Sequence, residues 1–217
     1  TVSLSASVGS IVDNADGTWS WSFGSTDGPA ETQVVTVIAE DSDGLSTSTT
    51  FNLTVDNVAP TVGVDQATVA VTEGETASNT GTYGDLGAET VTISSDVGTA
   101  TSNGDGTWTW SFAPADGPED TQTVTVTATD PDGAQSMVTF DLTVTNAPGV
   151  LGVDSAAINV GEGDTATNSG TLSDPGDDGA TLSASVGTVT LLPGGTAWNW
   201  SLATTDGTDD SQTVTIT

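Results

Sequence analysis

The chain has 217 residues, of which 30 are Asp or Glu and none is Lys, Arg or His, so the formal net charge is −30. This charge excludes nucleic-acid binding and direct membrane contact, because both use Lys or Arg against phosphates or acidic headgroups. Catalysis is disfavoured as well, since the sequence has no His, Cys or Lys to act as a base or nucleophile near neutral pH. The negative charge favours the binding of cations, and carboxylate oxygens are the hard ligands that Ca²⁺ prefers.

One pattern recurs along the whole chain. DGTWSWSF begins at Asp16, DGTWTWSF begins at Asp105, and GGTAWNWSL begins at Gly194. The corresponding residues Trp19 and Trp108 are 89 positions apart. Self-similarity at this period predicts tandem structural repeats.

The landmarks divide the chain into three predicted repeats. Residues 1–60 form a partial repeat that lacks its first strands, residues 61–149 form a complete repeat, and residues 150–217 form a partial repeat that lacks its last strand. Since the two ends fall at different phases of the repeat, we expect that the array continues or that another chain completes it.

Alternation of apolar and polar residues predicts seven strands in the complete repeat, the number typical of a β-sandwich. In chain order they are 68–72, 77–83, 90–95, 99–102, 107–112, 121–129 and 136–145. In the strand 107–112, one face carries Trp108, Trp110 and Phe112. These aromatic residues are predicted to be core, and the alternative is an exposed platform for a sugar ring.

Turns and linkers separate these strands. Clusters of Asp and Gly such as Asp130-Pro131-Asp132-Gly133 predict tight turns. The segments 56–60 and 146–148 lie where one repeat passes to the next, and we name them the first and the second linker. Their prolines favour short and stiff connections.

The repeat resembles the immunoglobulin-like and cadherin-like modules of large prokaryotic surface proteins, adhesin stalks and extracellular fibres. The resemblance is carried by V-x-E-G-E at 71–75, by D-G-T-W-x-W-S-F, by the D-x-D-G turn and by D-N-x-A-P at 56–60. It implies an all-β fold of tandem seven-stranded immunoglobulin-like β-sandwich repeats of about 89 residues. It also implies a structural array at the cell surface or outside the cell, with neighbouring repeats and self-assembly into a filament as the expected contacts. The alternative function is an adhesive module that binds a glycan or another surface protein.

Acidic side chains at the two junctions between repeats are the candidate ligands of Ca²⁺, the expected cofactor. Up-and-down tracing of the strands brings loops of adjacent repeats together at each linker. At the first junction the candidates are Asp56, Asn57, Asp85, Glu89, Asp130 and Asp132, with Asp27 and Glu31 nearby. At the second junction they are Glu73, Glu75, Asp116, Glu119, Asp120, Asn146, Asp174, Asp177 and Asp178.

A Ca²⁺ ion with ~6–8 oxygen ligands would turn the repulsion at such a junction into a crosslink. In cadherin-like proteins, ions at this kind of junction stiffen the rod, although the present sequence lacks the full cadherin linker and its second acidic motif. The alternative is that the aspartates cap hairpin turns while the other acids solvate the surface. Asn52 and Asn199 match the glycosylation acceptor pattern.

Overall fold

The fold is all-β. The computed structural model describes residues 1–26, 28–87, 89–176, 179–205 and 208–217, and within these ranges it contains strands and no helix. The strands are β1 (Ser3–Ala6), β2 (Ser10–Asp13), β3 (Trp19–Ser22), β4 (Gln33–Glu40), β5 (Ser46–Leu53), β6 (Thr61–Val64), β7 (Thr68–Thr72), β8 (Ala77–Gly84), β9 (Thr92–Ser95), β10 (Thr99–Ser102), β11 (Thr107–Phe112), β12 (Gln122–Thr129), β13 (Gln135–Thr145), β14 (Val150–Leu151), β15 (Thr165–Ser173), β16 (Thr188–Leu191) and β17 (Ala197–Ala203).

The described chain divides into two compact units. The first unit comprises Thr1–Ala67, Ser78–Ser111 and Val124–Phe140. The second comprises Thr68–Ala77, Phe112–Thr123 and Asp141–Thr217.

The first unit contains four groups of paired strands from the first and middle repeats. One sheet has the order β1-β4-β5, and β2 pairs with β3 in a separate hairpin. A third sheet has the order β10-β11-β8-β6, in which β6 runs antiparallel to β8. In addition, β12 pairs antiparallel with β9.

The second unit combines three segments of the middle repeat with the third repeat. Here β7 runs parallel to the last part of β13, with Thr68 opposite Asp141 and Thr72 opposite Thr145. The third repeat contains a sheet of order β14-β15-β17-β16. The strand β17, which carries the repeated tryptophan pattern, pairs with β15 and β16 on its two sides.

The strands predicted in the middle repeat coincide closely with the observed ones, because strict alternation of apolar and polar residues sets both the strand and its buried face. The bounds of β7, β10 and β11 are those predicted. The structure adds β6, which was not predicted. Its four residues, Thr61–Val64, include Gly63, and so short a segment with a glycine gives only a weak alternation signal.

Aromatic residues form the core of the first unit, as predicted. Trp108 and Trp110 are 0% and 1% exposed, and the ring of Trp110 meets Phe140 edge-on at a centroid distance of 4.9 Å. The Nε1 of Trp108 donates a hydrogen bond of 3.0 Å to the carbonyl oxygen of Gly63. The interpretation of these tryptophans as a sugar platform is therefore wrong for the middle repeat. Trp19, at the matching position of the first repeat, is 40% exposed.

The tryptophan at this position also explains a glycine in the neighbouring strand. A Cβ atom at Gly81 would lie 2.1 Å from the carbonyl oxygen of Gly63 and 2.5 Å from the ring of Trp108. Gly170 has the same close approach to Gly152 and Trp198 in the second unit. Each glycine is therefore required because a ring and a backbone carbonyl occupy the place of its side chain.

Candidate functional site

Three carboxylates of the middle repeat converge next to the first linker, within the first unit. Asp85 follows β8, Glu89 lies in the loop between β8 and β9, and Asp130 follows β12. One oxygen of each carboxylate lies within 4.8 Å of an oxygen of the other two. We name Asp85, Glu89 and Asp130 the carboxylate triad. Among the described residues it is the only such group of three acidic side chains.

Asp130 is the most buried member of the triad and is 4% exposed. Its Oδ2 accepts a hydrogen bond of 2.8 Å from the side-chain amide of Asn57 in the first linker, and its Oδ1 accepts one of 2.8 Å from the backbone of Ala134. The hydrogen bond from Asn57, helped by backbone N–H groups of its own turn, lowers the pKa of Asp130 from its ordinary value. Asp130 is therefore held in its charged form although it lies in the interior.

Asp85 brings a second oxygen that is shielded from solvent. Its Oδ1 accepts a hydrogen bond of 2.7 Å from the backbone N–H of Leu86, whereas its Oδ2 is buried and has no hydrogen-bond partner in the described part of the chain. A buried carboxylate oxygen without a donor is unfavourable. No side chain in the sequence can neutralise it, because the chain has no Lys, Arg or His.

The first repeat packs against the loop that carries two members of the triad. A Cβ atom at Gly87 would lie 2.8 Å from the carbonyl oxygen of Thr26. The backbone and hydroxyl of Thr26 in turn donate hydrogen bonds of 2.7 and 2.9 Å to Glu31. Gly87 thus contacts the first repeat, while Asp130 contacts the linker through Asn57.

The remaining candidates at the first junction are not gathered into the triad. Asp56 and Asp132 are exposed, and neither belongs to the group of converging carboxylates. Glu31 caps its own loop at Thr26, and Asp27 lies outside the described residues.

At the second junction, Glu73 takes a role that the sequence did not indicate. It is 2% exposed, and its carboxylate accepts hydrogen bonds from two backbone N–H groups of other segments. Its Oε2 accepts a bond of 2.7 Å from Gly117 in the loop between β11 and β12, and its Oε1 accepts one of 2.9 Å from Ala147 in the second linker. Glu73 therefore joins two separate segments of the middle repeat and its linker.

The other candidates at the second junction are dispersed. Glu75, Glu119 and Asn146 are exposed, and Asp120 accepts hydrogen bonds of 2.8 and 3.2 Å from the backbone of Ala115 and Asp116. Asp174 of the third repeat lies close to Gly149 at the end of the middle repeat, and its Oδ1 is buried without a hydrogen-bond partner among the described residues. Asp177 and Asp178 lie outside the described residues.

Some of the repeated aspartates cap turns. Asp41, the counterpart of Asp130 in the first repeat, accepts hydrogen bonds of 2.9 and 3.0 Å at Oδ1 from the backbone of Asp43 and Leu45. Asp105 accepts bonds from both the backbone and the hydroxyl of Thr107. Asp41 and Asp105 therefore cap their turns, whereas Asp130 both caps its turn and belongs to the triad.

The two matches to the glycosylation pattern lie on strands with their side chains exposed. Asn52 is in β5 and Asn199 is in β17. Their modification stays a prediction, as does the binding of a glycan or a surface protein. No described helix has the length and the apolar character that crossing a membrane requires.

Comparison with known proteins identifies the type of repeat. Residues 57–143 match the model of a family described as the bacterial Ig domain. This match covers nearly all of the predicted middle repeat and confirms the resemblance to immunoglobulin-like modules. Among curated proteins, none matches the sequence at a significant level.

Several solved structures are similar at low sequence identity. An I-band fragment of titin, I67–I69, is 12% identical, with 86% of this chain and 69% of that chain covered and a TM-score of 0.43. Cadherin domains 3–6 of protocadherin gamma B2 are 15% identical, with 94% and 58% covered and a TM-score of 0.40. Domains 4–9 of the surface layer protein SbsC are 17% identical, with 85% and 33% covered and a TM-score of 0.28.

Proposed function

We propose that the chain is a structural spacer within an extracellular or cell-surface array of immunoglobulin-like repeats, and that Ca²⁺ bound by the carboxylate triad stiffens its first junction. The observation that carries this proposal is the convergence of Asp85, Glu89 and Asp130 in a chain without any basic side chain. The repeats supply regular strands, turn caps and short linkers, which suit a spacer.

The charge of the triad supports a bound cation. Three carboxylates this close repel each other, and burial strengthens the repulsion because the local dielectric constant is lower than that of water. Protonation would relieve the repulsion, but Asp130 is stabilised in its ionised form by the amide of Asn57. A cation from solution would neutralise the triad without a proton.

The geometry of the triad fits a calcium ion. Ca²⁺ binds oxygen at about 2.3–2.6 Å, so two ligands on opposite sides of the ion are about 4.6–5.2 Å apart. The oxygens of the triad span up to 4.8 Å, which allows one ion to contact all three carboxylates. The buried Oδ2 of Asp85 would then gain the partner that the described chain does not provide.

Such an ion would act on the junction through two contacts that the structure contains. It would fix Asp85 and the nearby Gly87, against which Thr26 of the first repeat packs. It would also fix the turn of Asp130, to which Asn57 of the linker is hydrogen bonded. Both contacts belong to the first unit. Binding would therefore restrict the first repeat and its linker as well as the middle repeat.

The test is a calorimetric titration of the chain with Ca²⁺, together with thermal melting in Ca²⁺ and in EDTA at constant ionic strength. Constant ionic strength removes general screening, which at ~0.15 M salt already acts over ~8 Å. An ion at ~100 times its dissociation constant stabilises the folded state by ~2.7 kcal/mol, provided that the unfolded chain binds it poorly. We expect one saturable site and a higher melting temperature in Ca²⁺.

The first repeat offers a matched control for the variants. Asp130→Asn and Asp85→Asn should abolish both the binding heat and the gain in melting temperature. Asp41→Asn removes the charge of the corresponding turn cap in the first repeat without touching the triad, so it should keep the full calcium effect. The absence of binding heat in the parent chain would refute the proposal, and so would an equal loss in Asp41→Asn and Asp130→Asn.

A further inference from the structure

The second junction differs from the first because one carboxylate, that of Glu73, is hydrogen bonded to two separate backbone segments. Glu73 lies directly after β7 and is almost completely buried. One oxygen of its carboxylate accepts a hydrogen bond of 2.7 Å from the backbone N–H of Gly117, and the other accepts one of 2.9 Å from the backbone N–H of Ala147. Hydrogen bonds to a charged acceptor are stronger than those between neutral groups.

The third repeat packs on the same carboxylate. A Cβ atom at Gly176, in the loop after β15, would lie 2.7 Å from Oε2 and 2.9 Å from Oε1 of Glu73. Beside it, a Cβ atom at Gly74 would lie 3.0 Å from the Cβ of Pro175. A side chain at either glycine would therefore crowd the contact between the loop of the third repeat and the Glu73 turn.

We infer that Glu73 is a positioning residue that fixes the second linker and the adjoining loop of the third repeat to the middle repeat, without a metal ion. The two N–H dipoles that point at its carboxylate provide the positive charge that a cation provides at the triad. Among the described residues, Glu73 belongs to no converging group of three carboxylates. This inference goes beyond the proposed function and does not rest on the calcium site.

A counterpart of Glu73 elsewhere in the chain provides a control. Glu162 occupies the same position in the motif of the third repeat, and it is exposed. Replacement of Glu73 by Gln keeps the size of the side chain but presents one oxygen and one NH₂ group to two N–H donors, so that one donor loses its acceptor. The same replacement at Glu162 removes one charge without removing a buried acceptor.

Two measurements on the whole chain test this role. Amide hydrogen exchange reports on the N–H groups of Gly117 and Ala147 directly. Spin labels at cysteines introduced for Thr143 and Thr188, which are exposed, report the distribution of distances across the second junction. The labels are specific because the sequence has no cysteine. Both measurements are made in Ca²⁺ and in EDTA, and the near-ultraviolet circular dichroism of the tryptophans checks that the repeats remain folded.

We expect Glu73→Gln to accelerate exchange at one or both amides by about 10- to 100-fold, the range for losing a hydrogen bond to a charged group, and to broaden the distance distribution. Glu162→Gln should change neither, and calcium should change neither. Unaltered exchange and an unaltered distribution in Glu73→Gln would overturn the inference. A distribution in the parent chain that narrows in Ca²⁺ would also overturn it, because Glu73 would then act with a metal ion.

A second pair of variants keeps the test valid if Glu73→Gln unfolds the middle repeat. Gly176→Ala places a methyl group against the Glu73 carboxylate from the side of the third repeat and leaves the middle repeat unchanged. Gly179→Ala is its matched control, since a Cβ atom there meets nothing within 4 Å. Broadening with Gly176→Ala alone supports the inference, and equal behaviour of the two alanine variants contradicts it.

Discussion

Replacement of Trp108 by Ala should destabilise the middle repeat far more than replacement of Trp19 destabilises the first. The two residues occupy the same position in the repeat, but Trp108 is fully buried and Trp19 is 40% exposed. In addition, the Nε1 of Trp108 donates a hydrogen bond to the carbonyl oxygen of Gly63. The pair thus separates the contribution of burial from that of the sequence motif.

The expected magnitude follows from the buried area. A buried tryptophan removes ~150–250 Å² from water, which at ~25 cal/mol per Å² corresponds to ~4–6 kcal/mol. This agrees with the ~3–5 kcal/mol found when large aromatic residues are truncated in protein cores. Since Trp19 is 40% exposed, it retains ~60% of this burial, and its replacement should destabilise the first repeat by ~2–4 kcal/mol.

Urea denaturation followed by fluorescence of the remaining tryptophans is the suitable assay. With a slope of ~1–3 kcal/mol per M, the Trp108→Ala variant should lose at least ~1 M in the transition midpoint of its repeat, and Trp19→Ala should lose less. Equal midpoint shifts for the two variants would refute the argument that burial determines the effect. An unchanged midpoint in Trp108→Ala would show that this ring does not stabilise the core.

Gly81→Ala should lower the free energy of unfolding measured in urea by ~1–3 kcal/mol, because its methyl group would clash with the Gly63 carbonyl and the Trp108 ring. Gly24→Ala, where a Cβ atom meets nothing within 4 Å, should leave the midpoint unchanged, and a similar loss in both would contradict the steric explanation. For Asp105, the hydroxyl of Thr107, followed by its backbone N–H, lowers the pKa below the ordinary value of 3.8. Its contribution to stability is therefore complete above pH 3.8 and is lost as the pH falls through the lower pKa of the folded state, so Asp105→Asn should weaken the acid dependence of unfolding. An acid dependence identical to that of the parent chain would contradict this assignment.

The strands of the middle repeat could be predicted because their signal is local. Trp108 and Trp110 alternate with threonines, and this period of two sets the bounds and the buried face of β11 at once. The strand β6 could not be predicted in the same way. It is stabilised by pairing with β8 and by the hydrogen bond that Trp108 donates to Gly63, and both contacts depend on residues distant in the sequence.

For the acidic sites, the sequence predicts the region in which they lie but not the residues that form them. The sequence places many carboxylates near each junction, but it does not show that Asp85, Glu89 and Asp130 converge while Asp132, two residues from Asp130, remains exposed. The same holds for Glu73. It shares a motif with the exposed Glu75, and only the positions of the Gly117 and Ala147 backbones determine which of the two glutamates is buried.

The distribution of distances across the first junction is the most direct test of the proposed spacer. Spin labels at cysteines introduced for Ser48 and Thr109, which are exposed in the first and middle repeats, would report it without interference from native thiols. For the parent chain we predict a narrow distribution in Ca²⁺ that broadens in EDTA at the same ionic strength, and for Asp85→Asn a broad distribution in both buffers. Equal widths in Ca²⁺ and EDTA for the parent chain would contradict it.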